Sequence, residues 1–244
     1  MATASPWSGA DPASRCATDC PSWRVRRGRG TQERREDRVY TALLITLVDH
    51  GVTPSALAAR LTYAGAPEAM QAAVAAGLCG LGSVFVGTTE GSAAMLTEGL
   101  AGLDGNGDLD EIAARVVAGF REQRAFVPGV GHTLHKPIDL RTPRLFEIAE
   151  AEGLSGRYVD LMNRIGAEAT RAYGRDLPVN ATGAIGALSW EIGLRLRAVR
   201  GLGVMARAIG LVGHILEESE RPMAIELWQR VDTEASAHLK PVSS

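Results

Sequence analysis

Apolar residues recur along this chain at intervals of three and four, and strand-like alternation is missing. Tyr40, Leu43, Leu44 and Leu47 form the first clear stripe, at i, i+3, i+4 and i+7. Leu109, Ile112, Ala113 and Val116, extended by Phe120, repeat it, and Tyr158, Leu161, Met162 and Ile165 do so again. This spacing places the apolar side chains on one face of a helix, whereas a half-buried strand needs period two. The chain is therefore expected to be all-α, with roughly nine helices. Thr53 before Pro54, and Thr142 before Pro143, pair an N-cap residue with proline at the first helical position. Small residues crowd several helices (Ala72, Ala73, Ala75, Ala76 and Gly77, then Gly183, Gly186 and Gly193), which lets helix axes approach closely.

With 244 residues the expectation is one large domain or two intimate small ones. The 26 basic and 28 acidic residues, net charge −2, give no global field to hold a polyanion, so nucleic acid is not an expected partner. The apolar run at 42–48 is far shorter than the ~20 residues of a membrane span, and no membrane association is expected. Cysteines at 16, 20 and 79 make no disulfide framework, which suits a reducing, cytoplasmic compartment, and Cys79 reads as a buried thiol. Residues 1–36 fit no hydrophobic period; eight arginines fall by residue 38, and the segment reads as a disordered Arg-rich tail. Cys16 and Cys20 lack a second Cys or His pair, and no other metal-ligand spacing is present.

Three stretches resist the helical reading, 82–90, 126–141 and 175–182, and they hold most of the unusual residues. Polar and Gly-rich connections between helices are where an all-α protein meets ligands. Two histidines lie beside glycine, His50 in Val48-Asp49-His50-Gly51 and His132 in Pro128-Gly129-Val130-Gly131-His132. Such a ring can meet a ligand held by backbone N–H groups and do acid or base work near neutrality; a histidine interacting with a helix terminus is the plainer alternative. Asp49 and Asp139 are either partners that orient a ring or solvated acids. His214 has no comparable setting and reads equally as core or contact. Arg141, Arg200 and Arg221 each lie beside a turn or a small residue, as bidentate clamps for a di- or tricarboxylate or as surface ion pairs. Walker, Rossmann and serine-hydrolase glycine patterns are missing, so hydride transfer, NTP hydrolysis and serine hydrolysis lose their usual support. Asp104-Gly105-Asn106-Gly107-Asp108 opens like a calcium loop but has Leu109 and Arg115 at its sixth and twelfth positions; it reads as an exposed turn leading into a helix.

Taken in order, these motifs resemble the citrate synthase superfamily over about residues 39–237, most of all its citryl-CoA lyase and ATP-citrate lyase C-terminal branch. Leu47-Val48-Asp49-His50-Gly51 is followed by Ala58-Ala59-Arg60, then by 74–82 running into a Gly-rich turn. Pro128 to His132 precedes Arg141 by nine residues from the histidine, and Leu177-Pro178-Val179-Asn180, Arg200-Gly201-Leu202-Gly203 and Glu220-Arg221-Pro222-Met223 follow. The resemblance implies an all-α, citrate synthase-like two-domain helical fold shortened at its N-terminus. The larger domain would comprise 37–89 and 179–244, the smaller 90–178, with the site in the cleft between.

The resemblance also implies roles. His50 and His132 would act on the oxaloacetate part of the substrate, and Arg141, Arg200 and Arg221 would clamp carboxylates, Arg221 from the neighbouring subunit of a homodimer. Coenzyme A would lie along Val127, Gly129 and Gly131 with its thioester facing Gly87; it enters as a thioester substrate, with no permanently bound cofactor and no metal. Two positions depart from the family pattern: Val86 stands where citrate synthases have an enolate-stabilising histidine, and Thr182 where they have the proton-exchanging aspartate. The expected function is a lyase that cleaves citryl-CoA, or a related 3-hydroxyacyl-CoA, to acetyl-CoA and oxaloacetate or another 2-oxo acid. In it His132 takes the hydroxyl proton and Thr182 assists through water. The alternatives are an acyltransferase that condenses acetyl-CoA with a 2-oxo acid, and a non-catalytic CoA-thioester binder.

Overall fold

The computed structural model describes residues 30–82, 87–101, 107–131 and 138–239. The chain divides into two units, Met1–Arg34 and Arg35–Ser244. Of the first, the described residues are 30–34, where Arg34 N donates to the Gly30 carbonyl as a helix opens. That helix, α1 (Thr31–Val48), begins inside the segment expected to be disordered, which corrects the boundary at 36. Gln32, Glu33, Arg34, Arg35 and Glu36 are straight-chain helix formers, and Glu33 lies in the first turn where the macrodipole favours an acid. With no apolar residue among them, they leave no hydrophobic period to detect.

The other helices are α2 (Pro54–Gly65), α3 (Met70–Cys79), α4 (Gly87–Leu100), α5 (Leu109–Glu122), α6 (Arg141–Ala151), α7 (Arg157–Tyr173), α8 (Ala181–Glu191), α9 (Leu196–Glu220) and α10 (Ala224–Ala235), with a 3-10 turn at Ala237–Leu239. The fold is all-α as expected: the described residues contain ten α-helices and no strand, only an isolated antiparallel bridge between Val130 and Val179.

Local chemistry sets most of the helix ends. Thr53 precedes Pro54 at the start of α2 as expected. Asp108 caps α5 by accepting from Asp110 N at 2.8 Å. Asn180 caps α8, its Oδ1 accepting from Thr182 N and Gly183 N, and Gly174 ends α7 at φ +63°, a left-handed conformation that glycine adopts freely. The start of α6 differs from the expectation. Thr142 and Pro143 lie inside its first turn, and the capping acid is Asp139, whose carbonyl accepts from Thr142 N and whose carboxylate accepts from Arg141 N. A buried carboxylate satisfies the orphan N–H groups at a helix start better than a threonine one residue on.

Two apolar clusters hold Arg35–Ser244 together. The larger gathers Val39 and Leu43 of α1 with Met95 and Leu96 of α4, Ile112 and Val117 of α5, and Leu161, Met162 and Ile165 of α7 around α8. Every α8 residue from Ala181 to Ser189 except Thr182 is buried, which makes it the central helix. Gly186 lets α4 cross it: a Cβ there would lie 2.9 Å from Ala93 N. The smaller cluster packs Ala56 and Ala59 of α2 and Ala73 of α3 against Leu211 and Ile215 of α9. On α3 the buried residues are Ala73 and Gly77, so Cys79, two residues past Gly77 and nearly opposite on the helix, is exposed, contrary to the buried thiol expected.

α9, 25 residues long, gives Leu202 to the larger cluster and Leu211 and Ile215 to the smaller, and packs on α2, α3 and α4. By length and mean hydropathy it alone among the described helices could cross a membrane, but much of its surface is taken up by these neighbours. Arg200, Arg207 and His214 fall seven apart along it, with Arg221 as C-cap, while Arg197 lies outside this spacing. Seven residues are nearly two turns, so the four in this spacing lie along one side of the helix.

Candidate active site

The N-terminus of α8 gathers three segments distant in sequence. The Asn180 side chain accepts at Oδ1 from Thr182 N, Thr182 Oγ1 and Gly183 N, and donates through Nδ2 to the Gly131 carbonyl at 2.5 Å. Asn180 N donates to the Gly129 carbonyl at 3.0 Å, and Gly131 N donates to the Pro178 carbonyl at 2.7 Å. Gly129 and Gly131 have φ of +85° and +68°, and a Cβ on Gly129 would lie 2.6 Å from the Gly183 Cα, so the loop both needs left-handed residues and lies flat on α8. Gly-Val-Gly therefore serves a backbone-to-backbone approach.

Asp139 joins the second segment to the same place. Only 2% exposed, it receives Ala181 N at 3.0 Å on Oδ2, and Arg141 Nε and Nη2 at 2.9 Å each on its two oxygens. Burial pushes its carboxyl up, but the Arg141 side chain, the Ala181 N–H and the guanidinium charge outweigh this and lower the pKa to about 2. Arg141 is thus held along one edge of its guanidinium and is partly exposed.

The third segment is the first turns of α4. Ser92 Oγ lies 2.8 Å from the Thr182 carbonyl and 2.9 Å from the Thr89 carbonyl, Pro128 packs on Gly91, and Glu90 accepts from Arg200 Nε at 2.6 Å. Gly129, Gly131, Arg141 and Thr182 are accordingly linked through Asn180 and Asp139, and Arg200 joins the first turns of α4 through Glu90; Val127 lies next to Pro128 in the chain and Gly87 opens α4.

Beside Val127 and Val130 opens a cavity of about 290 Å³ lined also by Arg121, Arg124, Arg175, Phe126, Tyr173 and Leu177. Three guanidiniums around two aromatic rings, with Phe126 90% exposed, suit an anion that carries a flat ring.

His50 and Arg221 occupy different turns. His50 is exposed just past α1. Its neighbour Asp49 accepts from Gly51 N and contacts His214 Nε2, each at 3.1 Å. Partial burial raises the Asp49 carboxyl, but the Gly51 and His50 N–H groups and the His214 ring hold it below its ordinary value. Arg221 caps α9, its N donating to the Glu217 carbonyl, and its side chain is exposed. His132 and Val86 lie outside the described residues.

Sequence reasoning missed Arg207. Its residue is 8% exposed, its Nη1 is buried with no hydrogen-bond partner, and burial lowers its pKa against the opposing influence of Asp49. A buried guanidinium nitrogen with an open donor is what an anionic ligand would satisfy. Its signal was available: Arg207 lies seven residues from both Arg200 and His214. Arg60, buried against His214 and Glu218, was also missed, because its partners lie more than 150 residues away.

The matching family is "Citrate synthase, C-terminal domain", over residues 22–226. The chain belongs to the citrate synthase family. It superposes on the citryl-CoA lyase of Hydrogenobacter thermophilus with a TM-score of 0.72 and 31% identity, covering 86% of this chain and 78% of that one. An ATP citrate lyase from Methanothrix soehngenii, solved in complex with citrate and coenzyme A, matches with a TM-score of 0.61 and 23% identity over 75% of this chain and 31% of its own. The ATP-citrate synthase subunit 1 of Sordaria macrospora is 27% identical over 192 residues, which is 72% of this chain. The chain spans 27% of the length of that relative.

Proposed function

We propose that this protein cleaves citryl-CoA, or a related 3-hydroxyacyl-CoA, into acetyl-CoA and oxaloacetate or another 2-oxo acid. The observation that carries the reading is the convergence of the 127–131 loop, Asp139 with Arg141, and Thr182 at the start of α8. His132, next in the chain after Gly131, takes the tertiary hydroxyl proton. The carbon–carbon bond breaks, its electrons pass to the thioester as an enolate, and protonation of the enolate carbon completes acetyl-CoA. N–H groups in the first turn of α4, from Gly87 on, lack helical partners and face this task as donors to the thioester oxygen. Arg207, with its open buried nitrogen, and Arg141 supply charge for carboxylates, joined by Arg200 and Arg221. The cavity of Arg121, Arg124 and Arg175 beside Val127 accepts the nucleotide end of coenzyme A.

The division into a larger part, 37–89 and 179–244, and a smaller one, 90–178, belongs to the same proposal, as does a cytoplasmic location. A homodimer is supported by the exposed stripe Met205, Ile209, Val212 and Leu216 on α9, with Ile225 and Trp228 of α10 exposed as well. In it Arg221 reaches the neighbouring site.

The deciding experiment incubates the protein with citryl-CoA and follows oxaloacetate by its coupled reduction to malate, beside an H132A control. Release that H132A abolishes supports the lyase; no release, or release that H132A leaves intact, rejects it. One observation favours a second reading, a non-catalytic CoA-thioester binder: Thr182 donates its hydroxyl to Asn180 at 2.8 Å and so serves as part of a helix cap. Coenzyme A binding without turnover of citryl-CoA, or of acetyl-CoA with oxaloacetate in the condensing direction, would support that reading.

A further inference from the structure

Between the turn that bears His50 and the turn that bears Arg221 runs an unbroken chain of polar contacts. Asp49 Oδ1 lies 3.1 Å from His214 Nε2. On the other side of the ring, Nδ1 is 3.0 Å from Arg60 Nη2. Arg60, 2% exposed, also donates from Nη1 to Glu218 Oε2 at 2.9 Å and from Nη2 to Glu217. The second Glu218 oxygen accepts from Met223 N and Ala224 N, both at 2.9 Å, and so holds the start of α10 directly after Arg221-Pro222. His214 and Glu218 are four residues apart on α9, and Arg60 of α2 lies between them.

The chemistry of these groups fixes the direction of the bonds. A guanidinium has only donors, so His214 Nδ1 accepts, the ring hydrogen lies on Nε2, and that hydrogen is donated to Asp49. The same Asp49 oxygen accepts from Gly51 N, so the ring and the turn share one anchor. Gly51 has φ +71°, and Thr53 N donates to its carbonyl at 2.8 Å, so this anchor sets the course of the chain on both sides of His50. Buried ion pairs such as Arg60–Glu218 contribute little net stability over apolar side chains of the same size, while their geometry is specific.

We propose that His214, held by Arg60, is a positioning residue that couples the His50 turn to the Arg221 turn, so that the two are set together. This rests on the reading of both turns as parts of the carboxylate site. Arg60 and His214 do not touch substrate in this arrangement; they act through Asp49 and Glu218.

The test uses hydrogen exchange on the intact protein, comparing wild type with H214L and H214Q. Glutamine offers an oxygen to Arg60 and an N–H to Asp49, whereas leucine offers neither. H214L is expected to speed exchange about tenfold in both 49–53 and 221–225, the loss of one hydrogen bond of ordinary strength at each anchor, and H214Q to restore both. Faster exchange in 49–53 alone, or H214Q behaving as H214L, would overturn the coupling. Should H214L not fold, H214A, which likewise offers nothing to Arg60 or Asp49, gives the same comparison. Calorimetry with oxaloacetate provides the second arm: affinity about tenfold weaker in H214L, recovered in H214Q, with coenzyme A affinity unchanged in both. Equal oxaloacetate affinity in wild type and H214L would refute the positioning role. If wild type binds no oxaloacetate, it is the carboxylate-site reading that fails, and the exchange data still decide the coupling.

Discussion

Gly129 passes the first turn of α8 so closely that a Cβ on it would lie 2.6 Å from the Cα of Gly183. The same contact viewed from α8 sets a Gly183 Cβ against the Gly129 carbonyl, with the Val179 side chain at 3.0 Å on its other side. G183A should therefore destabilise by about 1–3 kcal/mol, the usual range for an extra methyl in a packed interior. G119A, on α5 with open space where its Cβ would point, should stabilise by about 0.5–1 kcal/mol. Urea unfolding of the two variants beside wild type checks both signs, and a neutral G183A would remove the close approach.

Asp139 gives the fold an acid-sensitive component. Its folded pKa of about 2 lies below the ordinary 3.8, so the ionised carboxylate stabilises the native state fully above the ordinary value. That stabilisation drains away as the pH falls from about 4 toward 2, when the proton is taken up first by the unfolded chain. A shift of this size corresponds to about 2 kcal/mol. D139N should be less stable by about that amount at pH 7 and should show a flatter acid limb; parallel wild-type and D139N limbs would assign the acid sensitivity elsewhere.

Arg207 sets stability against binding. With Nη1 unsatisfied in the interior, R207M should leave the ligand-free protein as stable as wild type or more so. On the proposed function, the same change should weaken oxaloacetate binding by about 2–5 kcal/mol. Melting curves with and without oxaloacetate read both quantities from one experiment. A lowered melting temperature without ligand would show that the guanidinium is a structural group.

Glu191 closes the start of α7 from the end of α8. Its Oε1 accepts from Tyr158 N at 2.8 Å and Val159 N at 3.2 Å, beside the stacked rings of Tyr158 and Trp190. E191A should cost about 1–2 kcal/mol, as expected for a lost helix cap, measured by thermal or urea unfolding. E191Q keeps an acceptor and should recover part of it.

What the sequence disclosed follows from how far each signal reaches. Leu43, Leu161, Met162 and Ile165 were legible as core because helical period is a local property, and all four are buried. Asn180 and the two loop glycines announced a special place, though their job is a backbone approach that only the fold makes visible. Cys79 misled because an apolar run such as α3 does not say which side faces inward. The start of α6 went to Thr142 because a threonine followed by proline is a local pattern, while the stronger anchor, Asp139, also depends on Ala181 some 42 residues on. Arg60 stood out only as part of a motif and His214 as either core or contact; their pairing was not legible, since they lie 154 residues apart. Arg207 did leave one, its spacing on α9, which is hard to read among so many arginines.

That spacing makes the length of α9 count in a way the lengths of its flanking loops do not. One residue inserted between Arg207 and His214 would turn everything after it by about 100° and advance it by ~1.5 Å. His214, Glu218 and Arg221 would swing away from Arg60 together, while Arg200 and Arg207 stayed in place. Deleting one residue would turn them the opposite way. Among descendants of this sequence, insertions and deletions should therefore accumulate elsewhere, and α9 should keep its residue count even where its apolar side chains have been exchanged.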